Sequence, residues 1–250
     1  MRELFDLAMD IGEQMLLCGA EVSRVEESVA RMCLAMGAKK VAVFSITSNL
    51  TATFYEPGGD FYTQTRRIRS CGTDYEKLHI LNSVSREICK KGLTANEIRE
   101  RLSAAEKRKK YPLWAEFVCY GVIAGAFTLF FGGGFAETAV SLAIGLLMRF
   151  CILFTDKVFT NRILSKFFIT AVASILAFIA LDLRIVPAVD KIMIGNIMTL
   201  IPGIGLTNAL RDLFTGDSIA GALRSLEAAL AALAIAGGYI AVAAIRGALI

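Results

Sequence analysis

From Leu113 onward the chain carries apolar stretches long enough to cross a lipid bilayer, and this limits its fold more than any other feature. A crossing helix needs roughly 20 predominantly apolar residues. Charge thins out over the same region. Residues 1–110 hold 18 basic and 15 acidic side chains, and residues 111–250 hold 9 and 8. The first part has the charge density of an ordinary soluble domain, and the second does not. The sequence therefore predicts a polytopic α-helical membrane protein of about five transmembrane helices, preceded by a soluble α+β domain. The expected division is 1–110 and 111–250, with spans at about 113–131, 137–154, 164–181, 192–210 and 219–245.

Basic residues orient such spans, because Lys and Arg accumulate on the cytoplasmic side. With the N-terminus inside, the inner flanks hold Lys107, Arg108, Lys109, Lys110, Lys157, Arg162, Lys166 and Arg211. The outer flanks hold Arg184, Lys191 and Arg246. The bias predicts a cytoplasmic N-terminus and, after five spans, an extracytoplasmic C-terminus. Glu3, Asp6, Asp10 and Glu13 interrupt the first segment, so it does not read as a signal peptide.

In the first domain, Leu4, Leu7, Ile11, Met15 and Leu16 recur at helical spacing, and Gly19 is a plausible stop. Ser23 with Glu26 fits a capping box for a second helix that ends at Gly37. Three β-rich runs follow, at 41–47, 50–56 and 61–68. Turns at Ser48-Asn49 and Pro57-Gly58-Gly59-Asp60 make them a small antiparallel meander. Helices are then expected from Asp74 to Gly92, and from Thr94, with Glu97 as its box partner, to about Lys107. The six cysteines show no CxxC pair and His79 is the one histidine, so no metal or cofactor site is expected; the thiols read as reduced and buried. No phosphate loop and no nucleophile–histidine pair point to an enzyme, and the spread net charge of +4 gives no nucleic-acid signal.

The fourth span is short and polar. Pro202-Gly203 interrupts it, and a proline removes a backbone donor. Freed backbone groups inside a membrane are tolerated only against protein or a water-filled cavity. Transporters place substrate sites at such breaks, although some kinks merely pack. Asn196, Thr199, Thr207, Asn208, Arg211 and Asp212 lie along this segment. Arg224 and Glu227 follow at i and i+3, on one helix face, either as functional residues or as an ion pair near the inner surface. Glu116 and Arg149 sit close enough to span ends to snorkel.

Three stretches carry a resemblance: Gly19-Ala20-Glu21-Val22-Ser23-Arg24-Val25-Glu26; Asp74 to Leu81 with the helix to Gly92; and Pro202-Gly203 through Thr207-Asn208-Ala209-Leu210-Arg211-Asp212, Gly216-Asp217, Gly221, Arg224 and Glu227. Together they resemble the threonine/serine exporter family, specifically its YjjP-like larger component of two-component members. The resemblance implies a secondary transporter of the inner membrane that exports threonine and serine, or dicarboxylates such as succinate, by drawing on the proton motive force. Single-chain members carry about ten spans. A chain of about five would need a small membrane protein supplying the other half, and an odd span number suits an inverted second half. A homo-oligomer is the other arrangement.

On this reading Asn196, Thr199, Pro202, Gly203, Thr207 and Asn208 line the transport path, and Arg211 or Arg224 pairs a substrate carboxylate. Asp212 or Glu227 carries the coupled proton. Gly19, Glu21, Ser23, Arg24 and Glu26 form the N-terminal motif. The alternative is a membrane-anchored ligand sensor or assembly protein acting through the first domain.

Overall fold

The structure is a computed structural model that describes residues 2–69, 71–108, 111–159 and 161–249. Lys109 and Lys110 of the basic cluster lie outside the described residues. The chain forms two compact units. One comprises Met1–Lys109 with Ile204–Ser225, the other Lys110–Gly203 with Leu226–Ile250.

The first unit begins with α1 (Arg2–Leu17) and α2 (Val22–Ala35). Gly19 joins them with φ +86°, and the Ala20 and Gly19 amides bond back to the Met15 and Leu16 carbonyls, both at 3.0 Å. This paired closure satisfies carbonyls that the helix end would otherwise leave open. The meander is as expected: β1 (Lys40–Ile46), β2 (Asn49–Tyr55) and β3 (Phe61–Arg67) pair antiparallel in the order β1-β2-β3. Val43 lies opposite Ala52, and Ala52 opposite Gln64. Alternation puts Leu50, Ala52 and Phe54 on the core side, where Phe54 meets Phe5 of α1 with ring centroids 5.2 Å apart. Thr51–Thr65 and Thr53–Thr63 hydroxyl pairs, at 3.0 and 2.9 Å, line the other face. Helices α3 (Tyr75–Lys91) and α4 (Ala95–Glu106) complete the core with Leu81, Val84, Ile88 and Ile98. The Thr94–Glu97 capping box is present.

The Ser23–Glu26 box is not. Helix α2 starts one residue earlier, with Glu21 at its N-cap and no side-chain cap. The Glu26 carboxylate instead accepts the Ser45 backbone N–H at 2.5 Å, because the edge position of β1 leaves that donor without a strand partner. The thiols depart from expectation in burial: Cys18 and Cys33 are buried, but Cys89 and Cys119 are exposed.

The second unit is helical: α5 (Leu113–Phe130), α6 (Phe135–Val158), α7 (Arg162–Asp182), α8 (Asp190–Ile197) and the later part of α10 (Ser218–Leu249). Small residues let the helices approach, the usual device where no hydrophobic effect drives helix association. A Cβ on Gly145 of α6 would come within 2.6 Å of the Tyr120 carbonyl of α5, and one on Gly121 within 3.1 Å of the Leu142 carbonyl. Outward positions are apolar, to the extreme of Phe135 at 92 % exposure. Such a surface suits a lipid environment and would not persist in water.

Among the described residues, four helices rather than five are long and apolar enough to cross a membrane: Leu113–Phe130, Phe135–Val158, Arg162–Asp182 and Ser218–Ala248. The expected fourth span over 192–210 is not one helix. It divides into α8 and α9 (Gly203–Phe214), and from Ile204 onward the chain belongs to the first unit. Pro202 supplies no N–H for a continuing ladder. The Thr199 hydroxyl donates to the Asn196 carbonyl at 2.7 Å, and the Leu200 amide reaches Ile197 at 2.8 Å, so the helix closes in tight turns. Eight helical residues span about 12 Å, well short of a bilayer core.

Gly19 and Gly92 both hold positive φ, at +86° and +64°, but only Gly19 is crowded: a Cβ there would lie 2.6 Å from the Gly72 carbonyl. Gly92→Ala is expected to cost about 1 kcal/mol and Gly19→Ala distinctly more. Thermal unfolding of the two variants checks the order.

Candidate functional site

The link between α1 and α2 is neither helix nor strand, so the Gly19 and Ala20 carbonyls have no partner in a regular ladder. Their partners come from residues about 200 positions away. The Asn208 amide of α9 donates to the Gly19 carbonyl at 3.2 Å. The Arg224 guanidinium of α10 donates to the Ala20 carbonyl at 2.8 Å. Arg211 of α9 pairs with the Glu21 carboxylate. Ala220 of α10 joins the hydrophobic core of the same unit. A close crossing brings α9 and α10 together: a Cβ on Gly221 would lie 2.8 Å from the Ala209 carbonyl. Gly216, with φ +95°, turns the chain between them.

At the centre of this seam is Asp212, fully buried at 0 % exposure. Arg224 lies 3.5 Å from it, and the Val22 N–H, one of the open donors in the first turn of α2, also favours its charge. Neither carboxylate oxygen completes a hydrogen bond of good geometry. Burial pushes its pKa upward; Arg224 opposes the shift, Asp217 adds to it, Val22 opposes it and Glu21 adds to it. Glu26 is raised too, first by burial, with the Ser45 N–H opposing and Asp217 adding.

The remaining candidates are placed elsewhere. Thr207 is exposed on α9, and Pro202-Gly203 form the break. Ser23 is half-buried in the first turn of α2, and Arg24 is exposed. Arg224 takes Asp212 as its partner rather than Glu227, because the approach of α9 supplies a buried carboxylate. Glu227 is exposed and makes no ion pair among the described residues. Asn196 and Thr199 belong to the other unit, so the polar residues expected along one span serve two different places.

In that second unit Asn196 is fully buried. Its amide nitrogen donates to the Ile192 carbonyl and to the Ser141 hydroxyl, both at 2.9 Å. Ser141 lies 2.6 Å from the Thr128 hydroxyl, which also reaches the Ala124 carbonyl at 2.9 Å. The Ile192 carbonyl can only accept, which fixes the amide orientation and leaves the Asn196 carbonyl oxygen unpartnered. A Cβ on neighbouring Gly195 would lie 2.6 Å from the Ala124 carbonyl, so α8 seats directly on α5. Thr128 and Ser141 were not singled out in the sequence; hydroxyls inside long apolar runs were the available signal.

A third polar group lies between α5 and α6. Arg149 pairs with Glu116, and its guanidinium stands 5.7 Å from the Tyr120 ring centroid. Sequence spacing suggests that both snorkel separately; the structure joins them.

Residues 6–246 match the family described as "Putative threonine/serine exporter". The protein named "Probable succinate transporter subunit YjjP" from Klebsiella aerogenes is 27 % identical over 245 residues, covering 96 % of this chain and 92 % of that protein. No solved structure matches. The match over nearly the whole length shows that the chain belongs to the threonine/serine exporter family.

Proposed function

We propose that this chain is the subunit of a secondary transporter that exports small amino acids such as threonine and serine, or dicarboxylates such as succinate, across the inner membrane. It works with a small membrane partner that supplies the second half and is driven by the proton motive force. The observation that carries the reading is the seam. It holds α9 and the first turns of α10 in the same unit as the N-terminal motif. The chain is then on one side of the membrane both at Pro112 and at Ser218. Three crossing helices, α5 to α7, leave it on the other side, so the return falls to α8 and the break that follows. A crossing made of a short helix and a proline break suits a transport path, because its open backbone groups require protein or water around them. With the N-terminus cytoplasmic, α10 then ends outside, as the basic flanks suggest.

Names of relatives support the substrate classes without choosing between them: the family name gives threonine and serine, and the Klebsiella protein gives succinate. That relative is also called a subunit, which supports a partner. Export into the medium decides. Cells lacking their own exporters, expressing this chain with its small membrane partner, are expected to release serine, threonine or succinate, and this chain alone to release none. No release from either, with both proteins in the membrane, removes the reading.

Between the two proton candidates, burial favours Asp212 over exposed Glu227. Asp212→Asn is expected to abolish the pH dependence of export, and Glu227→Gln to leave it unchanged. Stability checks the same group. Its folded-state pKa is raised, so protonation favours the folded form. The contribution of Asp212 is fully present below its unfolded pKa and is lost as pH rises through the raised folded value. Wild-type protein is therefore expected to gain stability relative to Asp212→Asn as pH falls from about 7 toward about 4. Paired thermal unfolding curves measure this.

Arg224→Ala removes the cation from a buried carboxylate and a donor from the Ala20 carbonyl. A loss of about 3 kcal/mol is expected, far above that of Arg211→Ala, whose side chain is more than half exposed. Denaturant unfolding of both variants tests the contrast.

A further inference from the structure

The geometry points to Arg149 as the residue that receives the substrate's carboxylate, with Glu116 as an internal carboxylate that occupies it between substrates. This rests on the export reading above, since a carboxylate is the one group that threonine, serine and succinate share.

Arg211 and Arg224, the candidates from the sequence, are committed elsewhere in the first unit. One holds Glu21; the other holds Ala20 and Asp212. In the membrane unit, Lys157, Arg162, Arg184, Lys191 and Arg246 stand at helix ends or in links, and Lys166 in the second turn of α7. Arg149 differs. It is nine residues from the nearer end of α6, about 13 Å along the helix. Its partner Glu116 lies in the first turn of α5, so the pair stands toward one end of that span, where a cation within an apolar helix still needs a reason.

Its surroundings leave it half used. A guanidinium offers five N–H donors in a planar fork that matches a carboxylate on two arms. Glu116 engages the Nη2 arm, while Nε is buried with no acceptor. The Tyr120 ring, 5.7 Å away, flanks the guanidinium. The pair is not sealed, because the Arg149 side chain retains 16 % exposure and Glu116 31 %. A small carboxylate that displaces Glu116 finds a fork of donors already held in place, and departure of the ligand restores the ion pair. Glu116 therefore competes with substrate, and this separates the arrangement from a purely structural bridge.

Equilibrium binding of serine and of succinate to the full chain co-purified with its small membrane partner in lipid nanodiscs, by calorimetry, tests the assignment. Ethanolamine, which lacks a carboxylate, serves as the control. Wild type is expected to bind at least one of the two carboxylates and not ethanolamine. Arg149→Gln is expected to weaken that binding by about tenfold or more. Glu116→Gln removes the competitor and is expected to tighten it several-fold, a gain that misfolding does not produce. A structural bridge predicts instead that both variants lose stability while affinity stays as in wild type. Unchanged affinity in either variant, equal binding of ethanolamine, or no carboxylate binding by wild type overturns the assignment. Carboxylate binding with these variant effects but no export would leave the assignment standing and remove the export reading.

Discussion

One guanidinium ties the two separate stretches of the first unit together. Arg224 closes the open carbonyl of Ala20 and faces the buried carboxylate of Asp212, joining the α1–α2 link to α9 and α10, about 200 residues later. The arrangement works because each partner is otherwise unmet. The α1–α2 link has no ladder for its carbonyls, α2 starts without a side-chain cap, and Asp212 has been taken out of water. Buried polar groups left in that state are costly, so each holds the others in position. Specific placement of α9, rather than added stability, is what such a buried pair contributes most clearly.

The membrane unit uses a different economy. Glycines at 121, 145 and 195 let backbones meet, and hydroxyls and one amide fasten the contact. Lipid offers no alternative partners to the backbone, so the long helices keep their ladders within themselves. The break at Pro202 is where the chain leaves one unit and enters the other. A single residue's missing N–H thus coincides with the boundary of the architecture.

Local features were legible in the sequence where local physics sets them. The three strands, the Thr94–Glu97 box, the glycine stop at Gly19 and the four long apolar helices follow from periodicity and cap chemistry within short windows. Reading failed where distant residues decide. Glu26 has the spacing of a box partner, but Ser45 offers an open donor from another element. Residues 192–210 have nearly the length and polarity of a span, yet Asn208, Arg211 and Asp212 are drawn to partners at 19–22 that no window contains. Charge in an apolar stretch marked Arg149 and Glu116, but their pairing depends on how α5 crosses α6. The motifs around Gly19 and Asn208 pointed to importance without revealing that they face each other.

The first unit is discontinuous along the chain: α5 to α8 are inserted within it. Synthesis proceeds from the N-terminus, so α1 to α4 leave the ribosome long before Arg224 exists. Until about residue 225 emerges, the Gly19 and Ala20 carbonyls lack their partners and the site of Ala220 in the core stays unfilled. The first unit thus cannot be completed before the intervening helices have been made. Its closure is a late event in synthesis, and a chain that stalls partway is left with an open seam.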